Sequence, residues 1–178
     1  LLPRSLAMDL PLPDTYLIAW PGFEARPLRW FMALNDVESL DELEETVDSM
    51  NEMNYNVVGA TEEGIAYRVG VEVPDRGDVS GDRAPWKALD GDDPATLWSG
   101  EMLPQEMMPA SRGTERGWLF TANNDPFGFT QDGDPTNDPW YYSSLFAPHF
   151  RAHRIEQELG RLTERGDLTV EDMKALQL

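Results

Sequence analysis

A chain of 178 residues, 40% hydrophobic and 26% charged, is long enough to enclose the core of one domain. Its 33 acidic residues against 14 basic ones, a net charge of -19, repel phosphate backbones and anionic lipids, which argues against nucleic acid as a partner. The absence of cysteine removes disulfides, thiolate metal sites and cysteine nucleophiles together.

Lysine is confined to Lys87 and Lys174. That scarcity beside abundant Asp predicts adaptation to salt, because a Debye length of about 3 Å at 1 M relieves self-repulsion. Apolar runs such as "FMAL" at 31–34 fall far short of the roughly 20 residues needed to cross a bilayer, so no membrane-spanning segment is expected. The opening "LLPRSLAMDLPLPD" has neither an initiator Met nor a signal-peptide apolar stretch; it says nothing of targeting and fits a piece of a longer protein.

In chain order, "YLIAW" at 16–20 predicts a short buried strand. "SLDELEETVDSM" predicts an amphipathic helix: Ser39 and Glu42 have capping-box spacing, and Leu40, Leu43, Val47 and Met50 recur at steps of three and four. "NYNVVGATEEGIAYRVGVEV" predicts a β-hairpin around "TEEG", with Gly64 free to take a positive φ. From Pro74 to Gly117 the chain is rich in Pro, Gly and Asp and almost without period. Trp86, Trp98, Met102, Leu103, Met107 and Met108 nevertheless predict that it packs over a surface, since disordered segments are poor in such residues.

"GWLFTANNDP", Gly117 to Pro126, predicts a buried strand ending in two amides, followed by a second Asp/Pro/Gly-rich loop. Two helices close the chain: Ile155, Leu159 and Leu162 share a face of the first, and Thr169 with Asp172 opens the second, with Val170, Met173 and Leu176 at steps of three.

Most chemical signatures are missing. His149 and His153 have the spacing of a helical metal pair but no His-Glu-x-x-His context, so packing or surface roles are expected and no metal site is assigned to them. There is no Gly-x-Ser-x-Gly turn, no phosphate loop and no dinucleotide fingerprint. Asp132, Asp134 and Asp138 lie in "DGDPTND", but Ser143 stands where an EF-hand needs glutamate; a hydrophilic turn is expected. On its residues alone, "NNDP" is also a turn, because Asn tolerates left-handed geometry and bonds its own backbone.

The order of several short patterns changes that last reading. "NVVGATEEGIAYRVGVEVPDRG", "LWSGEMLPQEMMP", "RGWLFTANNDP", "FRAHRIEQEL" and "LTVEDMKALQ" together resemble the β-subunit region of the penicillin acylase family of N-terminal nucleophile hydrolases, from about Tyr16 to the C-terminus. The resemblance implies an α+β fold forming part of an αββα sandwich. "YLIAW", the hairpin and "GWLFTA" would be sheet strands, and residues 1–178 a single segment without the nucleophile region or the α chain. It implies hydrolysis of an amide by a serine that opens the β chain, with that serine's own α-amine, of unperturbed pKa about 8, as base.

In that family an asparagine amide donates to the tetrahedral oxyanion, which implies that role for Asn123. A helix arginine orients the asparagine and keeps the amine neutral; the Arg-x-x-x-Ile spacing assigns it to Arg151, with Arg154 as the choice if the alignment slips. Tyr55, before the hairpin's Asn56, maps to a residue lining the acyl pocket, although the turn at "TEEG" is shorter than the family's. No cofactor is implied within the segment. Calcium is possible in the full-length protein, with Asp138 as the nearest ligand and the others outside the chain.

The expected partners are a small-molecule amide substrate, whether a β-lactam, an acyl-homoserine lactone or another amide, and the rest of the β chain with an α chain from the same precursor. An extracytoplasmic location is favoured by the resemblance alone. The contrasting expectation is a noncatalytic structural or binding domain that keeps the scaffold; the segment by itself is expected to be inactive.

Overall fold

A computed structural model describes residues 18, 27–50, 54–80, 83–134, 136–143 and 145–177. Helices α1 (Pro27–Ala33) and α2 (Leu40–Asp48) precede a hairpin of β1 (Tyr55–Thr61) and β2 (Gly64–Gly70). A long irregular segment leads to β3 (Ala110–Arg112), and α3 (Phe150–Thr163) and α4 (Val170–Leu176) end the chain. The strands form one antiparallel sheet in the order β1-β2-β3. This is an α+β arrangement with antiparallel strands and flanking helices.

Helix α2 forms as its sequence dictates. Ser39 accepts from the Glu42 N–H while the Glu42 carboxylate accepts from the Ser39 N–H, so the capping box is complete. Beside Asp41 and Glu42 of the first turn the hairpin tip adds a third anion: Glu63 accepts from the Leu40 N–H at 3.0 Å, at the end of the helix where negative charge is favoured. Leu40, Leu43, Val47 and Met50 are buried with Trp30 and Ala66 in the first core.

Gly64 takes φ +143°, as the tight turn requires. Strand alternation then sorts the hairpin's two faces. Val57 packs into the α1/α2 core, whereas Asn56 accepts from the Tyr67 hydroxyl at 2.6 Å on the opposite face. Burial pushes the Tyr67 pKa up to about 12. Arg68 pins the α2 side through a bidentate pair with Asp48, at 2.6 and 2.8 Å.

The irregular segment does pack over a surface. Leu103 and Met108 are buried with Val73, backed by Met107, Trp140 and Tyr142 in a second core. Gln105 holds it by donating to the Val71 carbonyl at 2.9 Å and accepting from Arg68 at its own carbonyl. A bridge between Pro74 and Met102 and the short β3 give it order that its lack of period concealed.

Two expectations differ. Gly117–Thr121 is not a strand among the described residues: it makes no ladder hydrogen bonds, and a strand exists only by virtue of a paired neighbour. The expected strand "YLIAW" lies outside the described residues except for Ile18, which is exposed. Helix α1 has no counterpart among the expected elements, since its 7 residues are too few to display a period.

Candidate active site

Segment 117–123 is held from both ends. The Thr114 hydroxyl donates to the Trp118 carbonyl, and Arg116 lies 4.2 Å from the Trp118 ring while pairing with Glu156 of α3 at 2.9 Å. At the other end the Ala147 N–H donates to the Asn123 carbonyl at 2.7 Å. Asn123 has φ +58° and is the one non-glycine residue with positive φ among those described. Asn is among the few side chains that visit this left-handed region, and residues kept there cluster at functional sites.

Arg151, in the first turn of α3, reaches back across this bend. Its Nη2 donates to the Ala122 carbonyl at 2.6 Å and to Asn123 Oδ1 at 2.9 Å. A guanidinium has no acceptor, so the amide must present oxygen to it and turn its nitrogen the other way. Among the described residues that nitrogen donates to no group, and Asn123 is exposed. A cation near a helix N-terminus also opposes the helix dipole, and no acidic residue stands in that first turn. The position is unfavourable for the helix and useful for the bend.

The other candidates fall elsewhere. Arg154 is paired with Glu158 at 2.7 Å, which Arg161 also contacts, so of the two arginines it is Arg151 that meets Asn123. Tyr55 opens β1 with its ring 5.3 Å from that of Trp30, on the α1 side. Val58, an odd number of residues on, lines a groove with Arg151 on the opposite face. Asn123 and Arg151 are therefore brought together, and Tyr55 is not brought to them.

Two clefts flank residues 119–121. One, of about 410 Å³, is polar and lined by Tyr67, Asn124, Asp125, His149, His153 and Glu156 among others. The other, of about 640 Å³, is apolar, between Val58, Leu119 and Phe120 on one side and Ile155, Leu159 and Met173 on the other. The histidines share the polar cleft, but the His153 ring is engaged with Gln157 at 2.9 Å. No group of three metal-ligating side chains occurs among the described residues.

That family-like order of motifs has a direct counterpart in comparison. The model of the penicillin amidase family matches residues 7–178. The chain belongs to the penicillin amidase family. Its helices and three-stranded antiparallel sheet are an α+β arrangement, in an N-terminal nucleophile hydrolase family of acylase-type amide hydrolases. No helix among the described residues is long and apolar enough to cross a membrane.

Asp138 of this amidase-family chain has a buried Oδ2 with no hydrogen-bond partner. Desolvation first, and then Asp132, Asp125 and Asp134, raise its pKa. An orphaned, desolvated carboxylate oxygen of this hard-donor type suits a calcium ion, whose further ligands would have to come from outside the described side chains. The residue that sequence reasoning passed over is Asp125. The Asn-Asn-Asp-Pro turn reading makes it a turn residue, yet it is only 4% exposed, and the signal for it is the Asp-Pro-x-Gly run after the amides.

Proposed function

We propose that this chain is a segment of an acylase that hydrolyses linear amides, supplying the oxyanion donor while the serine nucleophile lies in another part of the same precursor. The observation that carries the reading is the Arg151–Asn123 contact at 2.9 Å, which turns an uncharged N–H donor away from the arginine and into the open. Such a donor meets developing negative charge with no proton to gain or lose and no reorganisation at the moment of reaction.

Arg151 orients the amide and, near the nucleophile's amine, would favour its neutral form. The apolar groove beside Arg151 agrees with a substrate carrying an apolar acyl group, in a pocket completed by the rest of the β chain and by an α chain. Tyr55 as a pocket wall rests on the family resemblance alone; its surroundings support packing on Trp30. Asp138 would contribute one oxygen to a structural calcium ion. Residues 1–178 act in this scheme as one unit.

The test is made on the full-length protein. Mass spectrometry should find it processed, and phenylacetyl-anilide hydrolysis should fall about 100- to 1,000-fold in kcat for Asn123→Ala, with KM little changed. An unprocessed, inert parent would favour a noncatalytic scaffold. Unchanged kcat in the variant would remove Asn123 from the oxyanion site.

A further inference from the structure

Asp125 is a buried carboxylate two residues beyond Asn123, and it has no ion-pair partner among the described residues. It is satisfied by the loop ahead of it. Oδ1 accepts from the Phe127 and Gly128 N–H groups at 3.0 and 2.9 Å; Oδ2 accepts from the Thr130 N–H at 2.7 Å and its hydroxyl at 2.9 Å. A buried anion is costly unless fully hydrogen-bonded, and a turn does not need one. Its presence calls for a purpose other than reversing the chain.

The loop that cradles it is anchored in turn. Phe127 and Phe129 stack with centroids 4.6 Å apart, and Phe127 meets Trp140 and Tyr142 edge-on at 5.7 and 5.4 Å. Trp140 and Tyr142 belong to the second core. A continuous chain of contacts therefore runs from that core through the phenylalanines and the Asp125 carboxylate to the left-handed bend. Arg151 and Ala147 hold Asn123 from the side of α3, and the Asp125 cradle begins two residues farther along the chain.

We propose that Asp125 is a positioning residue for amide hydrolysis: its cradle of donors from Phe127 to Thr130 holds Asn123 in its left-handed conformation, so that the amide nitrogen stays aimed at the oxyanion. This rests on the reading of Asn123 as the oxyanion donor. Residues that position a reacting group act through geometry, and a displacement of about 1 Å costs on the order of 100-fold in rate.

The experiment is a double-mutant cycle in the processed full-length protein. Asn123→Ala, Asp125→Asn and the double variant are compared, with kcat expressed per nucleophile titrated by an acylation burst. Asp125→Asn is expected to lower kcat about 10- to 100-fold with KM nearly unchanged. In the Asn123→Ala background the same change is expected to cost less than about 2-fold, because its effect passes through Asn123.

An equal factor in both backgrounds overturns the inference. So does a loss of melting temperature or of titratable sites with kcat per site intact, which is what an ordinary buried turn residue would give. Unchanged kcat in Asn123→Ala alone strikes the oxyanion reading itself and carries this inference down with it. If Asp125→Asn yields no folded enzyme, Thr130→Val removes only the hydroxyl donor; a several-fold loss of kcat that vanishes in the Asn123→Ala background supports the proposal, and an additive loss refutes it.

Discussion

Helices α2 and α4 start alike and end differently. Each opens with a complete capping box, Ser39 with Glu42 and Thr169 with Asp172, and each carries apolar residues at helical spacing. Yet α2 buries Leu40, Leu43 and Val47, whereas α4 buries nothing: Val170 is 69% exposed and Met173 37%. Caps and periodicity decide that a helix forms; what covers its apolar stripe depends on elements far away in sequence. Beneath α2 lies a sheet whose residues complement it. Beneath α3 and α4 lies the segment 119–121, which has no strand neighbours among the described residues and lines the apolar groove.

The sharpest way to break this contrast is to cut the two apolar stripes. Leu43→Ala should cost about 2–5 kcal/mol in urea unfolding, whereas Met173→Ala should cost less than about 1 kcal/mol. Equal losses would show that the α4 stripe is as well packed as the α2 one. Overpacking should tell the same story: a Cβ at Gly70 would sit 2.6 Å from Met50 Sδ and 2.8 Å from the Val47 carbonyl oxygen. Gly70→Ala is therefore expected to destabilise by about 1–3 kcal/mol, and a neutral result would mean that α2 rides loosely on the sheet.

Removing the caps sharpens the comparison further. Ser39→Ala and Thr169→Ala should each cost about 1 kcal/mol of helix stability. Hydrogen exchange should place the first loss in global unfolding, because α2 is fused to the core. It should place the second in local fraying of α4.

Acid should act through the same caps. Hydrogen bonds from Arg165 first and then Thr169 lower the Asp172 pKa, and backbone hydrogen bonds at Glu38 and Ser39 lower that of Glu42. Both contributions are present above the ordinary carboxylate range and are lost as pH falls through the lowered folded values. Because α4 buries no apolar stripe, loss of its cap should appear as local fraying, whereas loss of the α2 cap should appear only as lower global stability, as read by exchange or circular dichroism; local fraying of α2 would contradict the difference in packing. The smallest and most diffuse effect is that of salt. With a net charge of -19, the melting temperature is expected to rise between low and molar KCl, and a flat response would remove the case for salt adaptation.

The proposed site was legible only through motifs shared with the family, because on its residues alone Asn-Asn-Asp-Pro reads as a turn. The resemblance, carried by the Asn-Asn-x-Pro run and the Arg-x-x-x-Ile spacing, points to Asn123 and Arg151, and their meeting at 2.9 Å is a matter of tertiary structure. Tyr55 illustrates the opposite: one step along a strand reverses the face, and no local pattern says which face a chemical site will occupy. Asp125 read as a turn residue because turns and buried carboxylate cages use the same residue types. Only the loop's return, with three backbone N–H groups converging on the carboxylate, separates them.

By itself the sequence determined the elements whose causes are short-range: the capping boxes, the 3.6-residue stripe of α2, the glycine turn of the hairpin and the acidic surface. Tertiary structure alone decided that Gly117–Thr121 runs without ladder partners among the described residues, that Arg151 rather than Arg154 meets Asn123, and that Asp125 is buried. The physical reason is range. Helix caps and turns are settled by hydrogen bonds between residues a few positions apart, whereas ladders, burial and a contact such as Arg151–Asn123 require groups distant in sequence to arrive at one place.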